Sequence, residues 1–328
     1  MEVTYKHRTV VLPDFLIVGA MKSGTTSLYN WLKTHPQIYL PDETKEPRFF
    51  VCVSHPHYYK HWPYKYELRC NIEDYSKLFL RAKREQKIGE ASVAYLHSFD
   101  IAIENIKKFY RNRSEELKVI IILRNPIDRL ISHYTAALAA GEKQSLKEAF
   151  EIEKELLKDT SMFRGNIEKL IRNNKKMTSE DFFFWTSKYY VQVKAYINEF
   201  PRIKVYLYED LTERPLLLLK DIFKFLDIDD RFIPPNLGVP YNPSGIPKSP
   251  LHKLVYRLLI SYNPLKPLAK KLLSEEVSYK IAHKLRKNFY IKPEIPPSMR
   301  KKLLDIFRED ILKLQDLIGR DLSHWLEE

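Results

Sequence analysis

The most constraining feature of this chain is the segment from Phe15 to Ser27, which joins a short apolar run to the start of a helix. Residues 15–18 are apolar, include β-branched side chains and precede a glycine, a pattern that favours an inner strand of a parallel sheet. Thr25, Thr26 and Ser27 stand where a helix begins, so their hydroxyls and the free N–H groups of the first turn face the loop. The segment therefore predicts an anion-binding loop between a buried strand and a helix.

This loop differs from the loop of nucleotide triphosphatases at one position. Gly19 and Gly24 have the spacing of the Walker A motif, G-x-x-x-x-G-K-[ST], but Thr25 stands where that motif places its lysine. The lysine of this loop is Lys22, which precedes Gly24. Because a triphosphatase uses its lysine to bridge the β- and γ-phosphates beside magnesium, the displaced lysine predicts a different phosphate ligand and no obligatory metal.

A second strand and helix repeat the arrangement about a hundred residues later. Residues 118–123 predict another buried strand, apolar from Val119 to Leu123 and followed by Arg124, and Pro126 can open a helix because it has no N–H to lose. Arg124 offers a planar fork that matches a phosphate, and Ser132 adds a hydroxyl donor. Because doubly wound sheets bind ligands at the carboxyl ends of their strands, both elements are expected at one edge. The predicted fold class is α/β, a P-loop-like doubly wound parallel sheet flanked by helices.

These two segments resemble the nucleotide-binding elements of the sulfotransferases that use 3′-phosphoadenosine 5′-phosphosulfate (PAPS). In that family the first loop binds the 5′-phosphosulfate, and the element strand-Arg-x-Pro-x-x-Arg-x-x-Ser binds the 3′-phosphate. The likeness runs from about Phe15 to Trp325, is weakest at 140–186 and 250–300, and implies a soluble member that resembles the heparan sulfate N- and 3-O-sulfotransferase domain. It implies PAPS-binding roles for a set of residues in both elements: Lys22, Ser23, Gly24, Thr25, Thr26, Arg124 and Ser132.

The resemblance also implies a catalytic base. Heparan-type members use a glutamate in a G-E-x-[ST]-P-x-Tyr-like segment to take the proton from the acceptor, and Gly89, Glu90, Ser92 and Tyr95 fit that segment. Val93 replaces the usual proline, which puts the local backbone geometry in question. The hormone and phenol sulfotransferases use a histidine instead, and His97 is the alternative. Glu90 is preferred because His97 falls outside the motif.

Two further lysines are candidates by resemblance. The segment Lys45-Glu-Pro-Arg-Phe-Phe is similar to the family's Lys-Glu-x-His-Phe-Phe element, which implies that Lys45 is a catalytic cation near the transferring sulfuryl group; Arg48 replaces the histidine. Lys248 lies in a proline-rich loop where relatives place a basic loop over the nucleotide. Residues 204–211 resemble the closing strand of the family, and Ser187 stands where relatives have glycine.

Composition and length favour one large domain. At 328 residues with 44% hydrophobic residues the chain can bury a sizeable core. We expect a single sulfotransferase domain over residues 1–328, with a core of about 13–240, a helical insertion at about 140–187 and a C-terminal helical region at about 250–328.

The sequence also bears on location and metals. It has no run of about 18 apolar residues that could span a membrane, and residues 1–11 lack the apolar centre of a signal peptide. The only cysteines, Cys52 and Cys70, lack metal-ligand spacing and favour a reducing cytoplasm, although the sequence leaves open whether they pair. A metal site is disfavoured at His55, His57 and His61, because no Cys or Asp completes the set.

Three classes of function are consistent with these residues. The favoured one is an enzyme that moves a sulfuryl group from PAPS to a hydroxyl or amine of a carbohydrate or glycolipid, with Glu90 as base and Lys22 stabilising the leaving phosphate. The alternatives are a P-loop kinase using ATP with magnesium and a non-catalytic nucleotide- or glycan-binding module. The net charge of +13 is spread over helices rather than interleaved with aromatic residues, so nucleic acid is not expected as a partner.

Overall fold

The computed structural model describes residues 1–6, 8–54, 68–140, 144–158, 182–239, 241, 245–247, 290–291 and 296–327. At its centre is a parallel sheet of five strands in the order β4-β5-β3-β6-β7. The pairing is parallel throughout, from Ile38 opposite Lys87 at one edge to Leu123 opposite Leu207 at the other. The strands are β3 (Phe15–Gly19), β4 (Ile38–Tyr39), β5 (Lys87–Ala91), β6 (Lys118–Leu123) and β7 (Ile203–Leu207).

Helices cover both faces of this sheet. They are α1 (Thr25–Leu32), α2 (Phe49–Cys52), α3 (Ile72–Lys77), α4 (Ala94–His97), α5 (Phe99–Tyr110), α6 (Pro126–Ala140), α7 (Leu146–Lys158), α8 (Tyr190–Glu199), α9 (Tyr208–Glu213), α10 (Pro215–Leu226) and α11 (Pro297–Ile318). Single 3₁₀ turns lie at Arg111–Arg113, Trp185–Ser187 and Ser323–Trp325. None of the helices in the described ranges is both long enough and apolar enough to cross a bilayer.

The two faces form separate cores because side chains alternate along each strand. Every residue of β3 and β6 is buried, as expected of strands covered on both sides. Leu16, Val119 and Ile121 join the core that includes α5, α8 and α11. Phe15 and Ile120 join the opposite core, which includes α1 and α10.

Two antiparallel pairs accompany the sheet: β1 (Glu2–Tyr5) with β2 (Arg8–Val11), and β8 (Ile246–Pro247) with β9 (Tyr290–Ile291). The parallel sheet flanked by helices confirms the predicted fold class. The single-domain division stays a prediction.

One predicted element is wrong in extent. Residues 204–211 were expected to form a strand, but β7 ends at Leu207 and α9 begins at Tyr208. The cause is local, because the Asp210 carboxylate accepts a hydrogen bond from Leu207 N–H at 2.9 Å and so caps the new helix. The turn brings Tyr208 back over the carboxyl edge of the sheet.

Candidate active site

The loop between β3 and α1 leaves the start of α1 open. Gly24 precedes the helix with a φ of 87°, a left-handed conformation that favours glycine, and no side chain caps the first turn. A Cβ on Gly24 would lie 3.3 Å from carbons of Tyr208 and Leu211, so a side chain here would also crowd α9. The uncapped N–H groups and the Thr25 and Thr26 positions are suited to an anion.

Lys22 lies in this loop in a strongly cationic setting. Burial, followed by the Arg129 and Arg124 guanidinium groups, lowers the pKa of Lys22 to about 8. A bound anion would offset the repulsion between the three cations, because opposite charge favours the ammonium form.

Arg124 meets the loop as the sequence predicts. It follows β6, its Nη1 donates to the Lys22 carbonyl oxygen at 3.4 Å, and its guanidinium carbon lies 4.7 Å from the centre of the Tyr208 ring. Ser132 is buried two turns into α6. The two phosphate-binding elements predicted from the sequence therefore lie at one edge of the sheet, with Arg124 in contact with the loop.

Arg129 is a fully buried cation next to these elements. Its Nε donates to Ser187 Oγ at 2.7 Å and its Nη2 donates to the Phe183 carbonyl oxygen at 2.7 Å. The serine that stands in place of the family's glycine therefore accepts a hydrogen bond from this guanidinium. The Glu153 carboxylate, which accepts from Phe183 N–H at 2.7 Å, faces the same cation.

Sequence reasoning did not single out Tyr189. The phenol is fully buried, and burial raises its pKa to about 12 even though Arg129, the Ser23 hydroxyl and Arg124 lower it. The Tyr189 hydroxyl thus lies beside the Ser23 hydroxyl and the backbone of Arg124, between the two predicted phosphate-binding elements. The one signal in the sequence was that Tyr189 lies two residues after Ser187, the position where relatives have glycine.

Glu90 lies in β5, with its side chain fully buried. The hydroxyls of Tyr75 and Tyr95 donate to Glu90 Oε2 at 3.0 and 2.9 Å, whereas Oε1 makes no hydrogen bond with the described residues. Burial raises the pKa of Glu90 to about 7, although the nearby Ser92, Tyr95 and Tyr75 hydroxyls favour the carboxylate. Oε2 is thus held in place, whereas Oε1 is buried and can take a proton only from a group that reaches it inside the site.

The backbone after Glu90 explains why Val93 can replace proline. Val93 has a φ of −67°, close to the value that a proline ring imposes, and it directly precedes α4. The departure from the motif therefore leaves the path of the backbone unchanged.

His97 is less suited to act as the base. It is buried, and burial together with the Arg48 and Arg129 cations lowers its pKa to about 3. Its carbonyl accepts a hydrogen bond from Trp185 Nε1 at 3.0 Å. A base with a pKa so far below neutrality provides little driving force for proton transfer.

The Lys45 side chain lies next to the start of α1 in space. Its Nζ is 3.4 Å from the hydroxyl oxygens of both Thr25 and Thr26 and 3.1 Å from Glu46 Oε1. Arg48 binds the other oxygen of Glu46 at 3.0 Å. Burial raises the pKa of Glu46, but the two cations outweigh it and hold that pKa below its usual value. The Glu46 carboxylate therefore bridges Lys45 and Arg48 and holds Lys45 beside the predicted anion site.

Lys248 and the three histidines at 55, 57 and 61 lie outside the described residues. Within the described ranges no group of three His, Cys, Asp or Glu side chains is arranged to hold a metal ion. Cys52 and Cys70 form a disulfide with their Cα atoms 5.0 Å apart, which settles the pairing that the sequence left open.

Taken together, the site places cations at an open helix start and, on the neighbouring strand β5, a buried carboxylate with one available oxygen. The first feature can bind and stabilise anionic groups, and the second can remove a proton from an incoming nucleophile. The geometry suits transfer of an anionic group to a hydroxyl or an amine.

Comparison with known proteins agrees with this chemistry. The family model described as "Sulfotransferase domain" matches residues 12–315. The membrane-associated sulfotransferase kil1 of Dictyostelium discoideum is 24% identical over 290 residues, which cover 68% of this chain and 57% of that protein. Heparan sulfate glucosamine 3-O-sulfotransferase 5 of Mus musculus is 27% identical over 228 residues, covering 69% and 56%. The chain spans little more than half the length of these two relatives.

A solved structure shows the same likeness over nearly the whole fold. The sulfotransferase from Alicyclobacillus acidocaldarius is 26% identical, with a TM-score of 0.67 over 97% of this chain and 100% of that chain. Because the family model covers nearly all of the sequence, the chain belongs to the sulfotransferase family.

Proposed function

We propose that this enzyme transfers a sulfuryl group from PAPS to a carbohydrate hydroxyl or amine. The observation that carries the proposal is the contact between Arg124 and the Lys22 loop, which joins two cationic elements about a hundred residues apart in sequence. PAPS carries a phosphosulfate and a 3′-phosphate, so it needs two such elements. ATP, the donor of a P-loop kinase, lacks the 3′-phosphate.

The chemistry follows from the residues at the edge of the sheet. The acceptor oxygen or nitrogen attacks sulfur in line, the bond between sulfur and the bridging oxygen breaks, and the electron pair stays on the phosphate of adenosine 3′,5′-bisphosphate. Lys22 and the N–H groups at the start of α1 stabilise that charge, as in phosphoryl transfer. Glu90 takes the acceptor proton on Oε1, and Lys45 stabilises the sulfuryl oxygens.

The acceptor class rests on the relatives. One is called a heparan sulfate glucosamine 3-O-sulfotransferase, and another, carbohydrate sulfotransferase 15 of Mus musculus, is 29% identical over 170 residues. Incubation with sulfur-labelled PAPS and a panel of saccharides, glycolipids and small alcohols would identify the acceptor, and label found only in a small alcohol would contradict the carbohydrate assignment.

The donor is tested by calorimetric titration with adenosine 3′,5′-bisphosphate and ADP, each with and without magnesium. We expect preference for the bisphosphate without a magnesium requirement, and we expect Arg124→Ala to weaken bisphosphate binding about 10- to 100-fold, as for loss of hydrogen bonds to a charged group. Preference for ADP with magnesium would favour the kinase, and binding without any turnover would favour the non-catalytic module. Equal loss of ADP and bisphosphate binding in Arg124→Ala would contradict the role given to Arg124.

A further inference from the structure

Tyr208 packs against both phosphate-binding elements. The Arg124 guanidinium carbon lies 4.7 Å from the centre of its ring, and a Cβ on Gly24 would lie 3.3 Å from two of its ring carbons. A ring that contacts the guanidinium carbon takes up none of its N–H groups, so apart from the Nη1 that donates to the Lys22 carbonyl oxygen they remain for a phosphate. The ring therefore orients Arg124 without occupying its donors.

The position of Tyr208 depends on how α9 is held. The segment of residues 319–326, here called the C-terminal clamp, contacts the two residues that follow Tyr208. Arg320 binds Asp210 with both terminal nitrogens at 2.9 and 3.1 Å, and Trp325 Nε1 donates to Glu209 Oε1 at 2.9 Å. Because Asp210 also caps α9, the Arg320 pair holds the capping residue itself.

The clamp also reaches the residue next to Arg124. Asn125 Nδ2 donates to the Trp325 carbonyl oxygen at 3.4 Å, while Asn125 Oδ1 accepts from Ile127 N–H at 3.0 Å at the start of α6. Trp325 and Leu322 are buried in the core on that face. The clamp is therefore anchored in the core and joins the ends of β6 and β7.

We propose that the C-terminal clamp is a positioning element of the nucleotide site, which holds Tyr208 against Arg124 and so sets the selectivity for a 3′-phosphorylated nucleotide. The inference rests on the proposed PAPS site and extends it to α9 and residues 319–326. None of these residues contacts the donor in this role: they act through Arg124.

The experiment measures the dissociation constants of adenosine 3′,5′-bisphosphate and AMP on the same folded sample of each variant, so that their ratio reports the 3′-phosphate contact. Tyr208→Leu removes the ring face and Tyr208→Phe keeps it. Arg320→Lys removes the two-pronged pair, and Trp325→Phe removes the indole donor while keeping an aromatic ring. Lys313→Ala, which breaks an exposed ion pair on α11, is the matched control.

We expect Tyr208→Leu to lower the preference for the bisphosphate roughly 3- to 10-fold, the range of a cation–π contact, with AMP binding unchanged. Arg320→Lys and Trp325→Phe should also lower the preference for the bisphosphate over AMP, whereas Tyr208→Phe and Lys313→Ala should leave that preference unchanged. In an Arg124→Ala background, Tyr208→Leu should have no further effect on the ratio, because the two residues act as a unit.

Parallel losses of bisphosphate and AMP binding would overturn the proposal, because they would indicate general loosening of the fold. So would a lowered ratio that persists without Arg124. If the unaltered protein bound AMP and the bisphosphate equally, the assignment of PAPS as donor would be wrong. The clamp proposal, which depends on that assignment, would then be wrong as well.

Discussion

At the scale of single residues, the proposed reaction depends on the protonation of Glu90 and Lys22. Glu90 must be ionised to accept a proton, and its pKa is raised to about 7, so activity is gained as the pH rises through that value. Lys22 must be charged to stabilise the leaving phosphate, and its pKa is lowered to about 8, so activity is lost above it. The two groups therefore predict a narrow, bell-shaped dependence of kcat/KM, which reports the free enzyme.

This profile can be measured with the bisphosphate-producing reaction between about pH 5.5 and 9.5, with both PAPS and acceptor well below saturation so that the free enzyme is reported. Glu90→Gln should lower kcat about 10²- to 10⁴-fold, the usual contribution of a general base, while leaving nucleotide binding nearly unchanged. The residual activity should have no acidic limb. A wild-type rate in Glu90→Gln, or an acidic limb that survives the substitution, would show that another group is the base.

The residues that hold Glu90 show what sequence reasoning could and could not find. Tyr95 belongs to the motif and was found, because it lies five residues from Glu90 on the same strand-to-helix turn. Tyr75 comes from α3, is 15 residues away, and stacks on Phe49 at 4.3 Å. No local sequence pattern predicts the contact between Tyr75 and Glu90, because the packing of α3 against α2 brings Tyr75 to the carboxylate.

At the scale of secondary structure elements, the Phe15 ring of β3 occupies the space where a side chain at Gly89 of β5 would lie. Gly89 pairs with Phe15, and a Cβ on Gly89 would lie 2.1 Å from the end of the Phe15 ring. The glycine before Glu90 is thus required by packing. Gly89→Ala should lower the free energy of unfolding by about 1–3 kcal/mol or more through overpacking.

Chemical denaturation of three variants would test this contact. Phe15→Leu alone should destabilise by leaving a cavity, and the double variant Gly89→Ala with Phe15→Leu should be more stable than the sum of the single effects predicts, because the new methyl occupies space that the ring leaves. Strict additivity of the two losses would contradict the proposed clash.

The sequence predicted the two central strands of the sheet better than it predicted the end of β7. The apolar runs 15–18 and 119–123 predict β3 and β6 well because a parallel strand covered on both faces is apolar nearly throughout. The end of β7 was placed four residues too far, although the cap that Asp210 makes on Leu207 is a local signal three residues away. The contact of Lys45 with Thr25 could not be predicted from local sequence, because the two residues lie 20 apart.

At the scale of the whole molecule, the Cys52–Cys70 disulfide links two parts of the site. Cys52 ends α2, which follows the Lys45 segment, and Cys70 lies just before α3, which carries Tyr75. The bond spans 18 residues of sequence, a loop for which the chain-entropy estimate is about 3 kcal/mol of stability. We therefore expect reduction to lower the thermal midpoint and also to loosen the hydrogen bond that Tyr75 donates to Glu90.

The bond also bears on location, since disulfides persist in oxidising compartments and are rare in the cytosol. The cytoplasmic location expected from the sequence stays a prediction, and the disulfide favours the opposite outcome. Mass spectrometry of protein alkylated in acid-quenched source cells, with and without reductant, would decide between them. A closed bond predicts two alkylated cysteines only after reduction, and a Cys70→Ser variant whose thermal midpoint no longer responds to reductant is the control. Two free thiols in cells would support the cytoplasm and show that the native protein works without the bond.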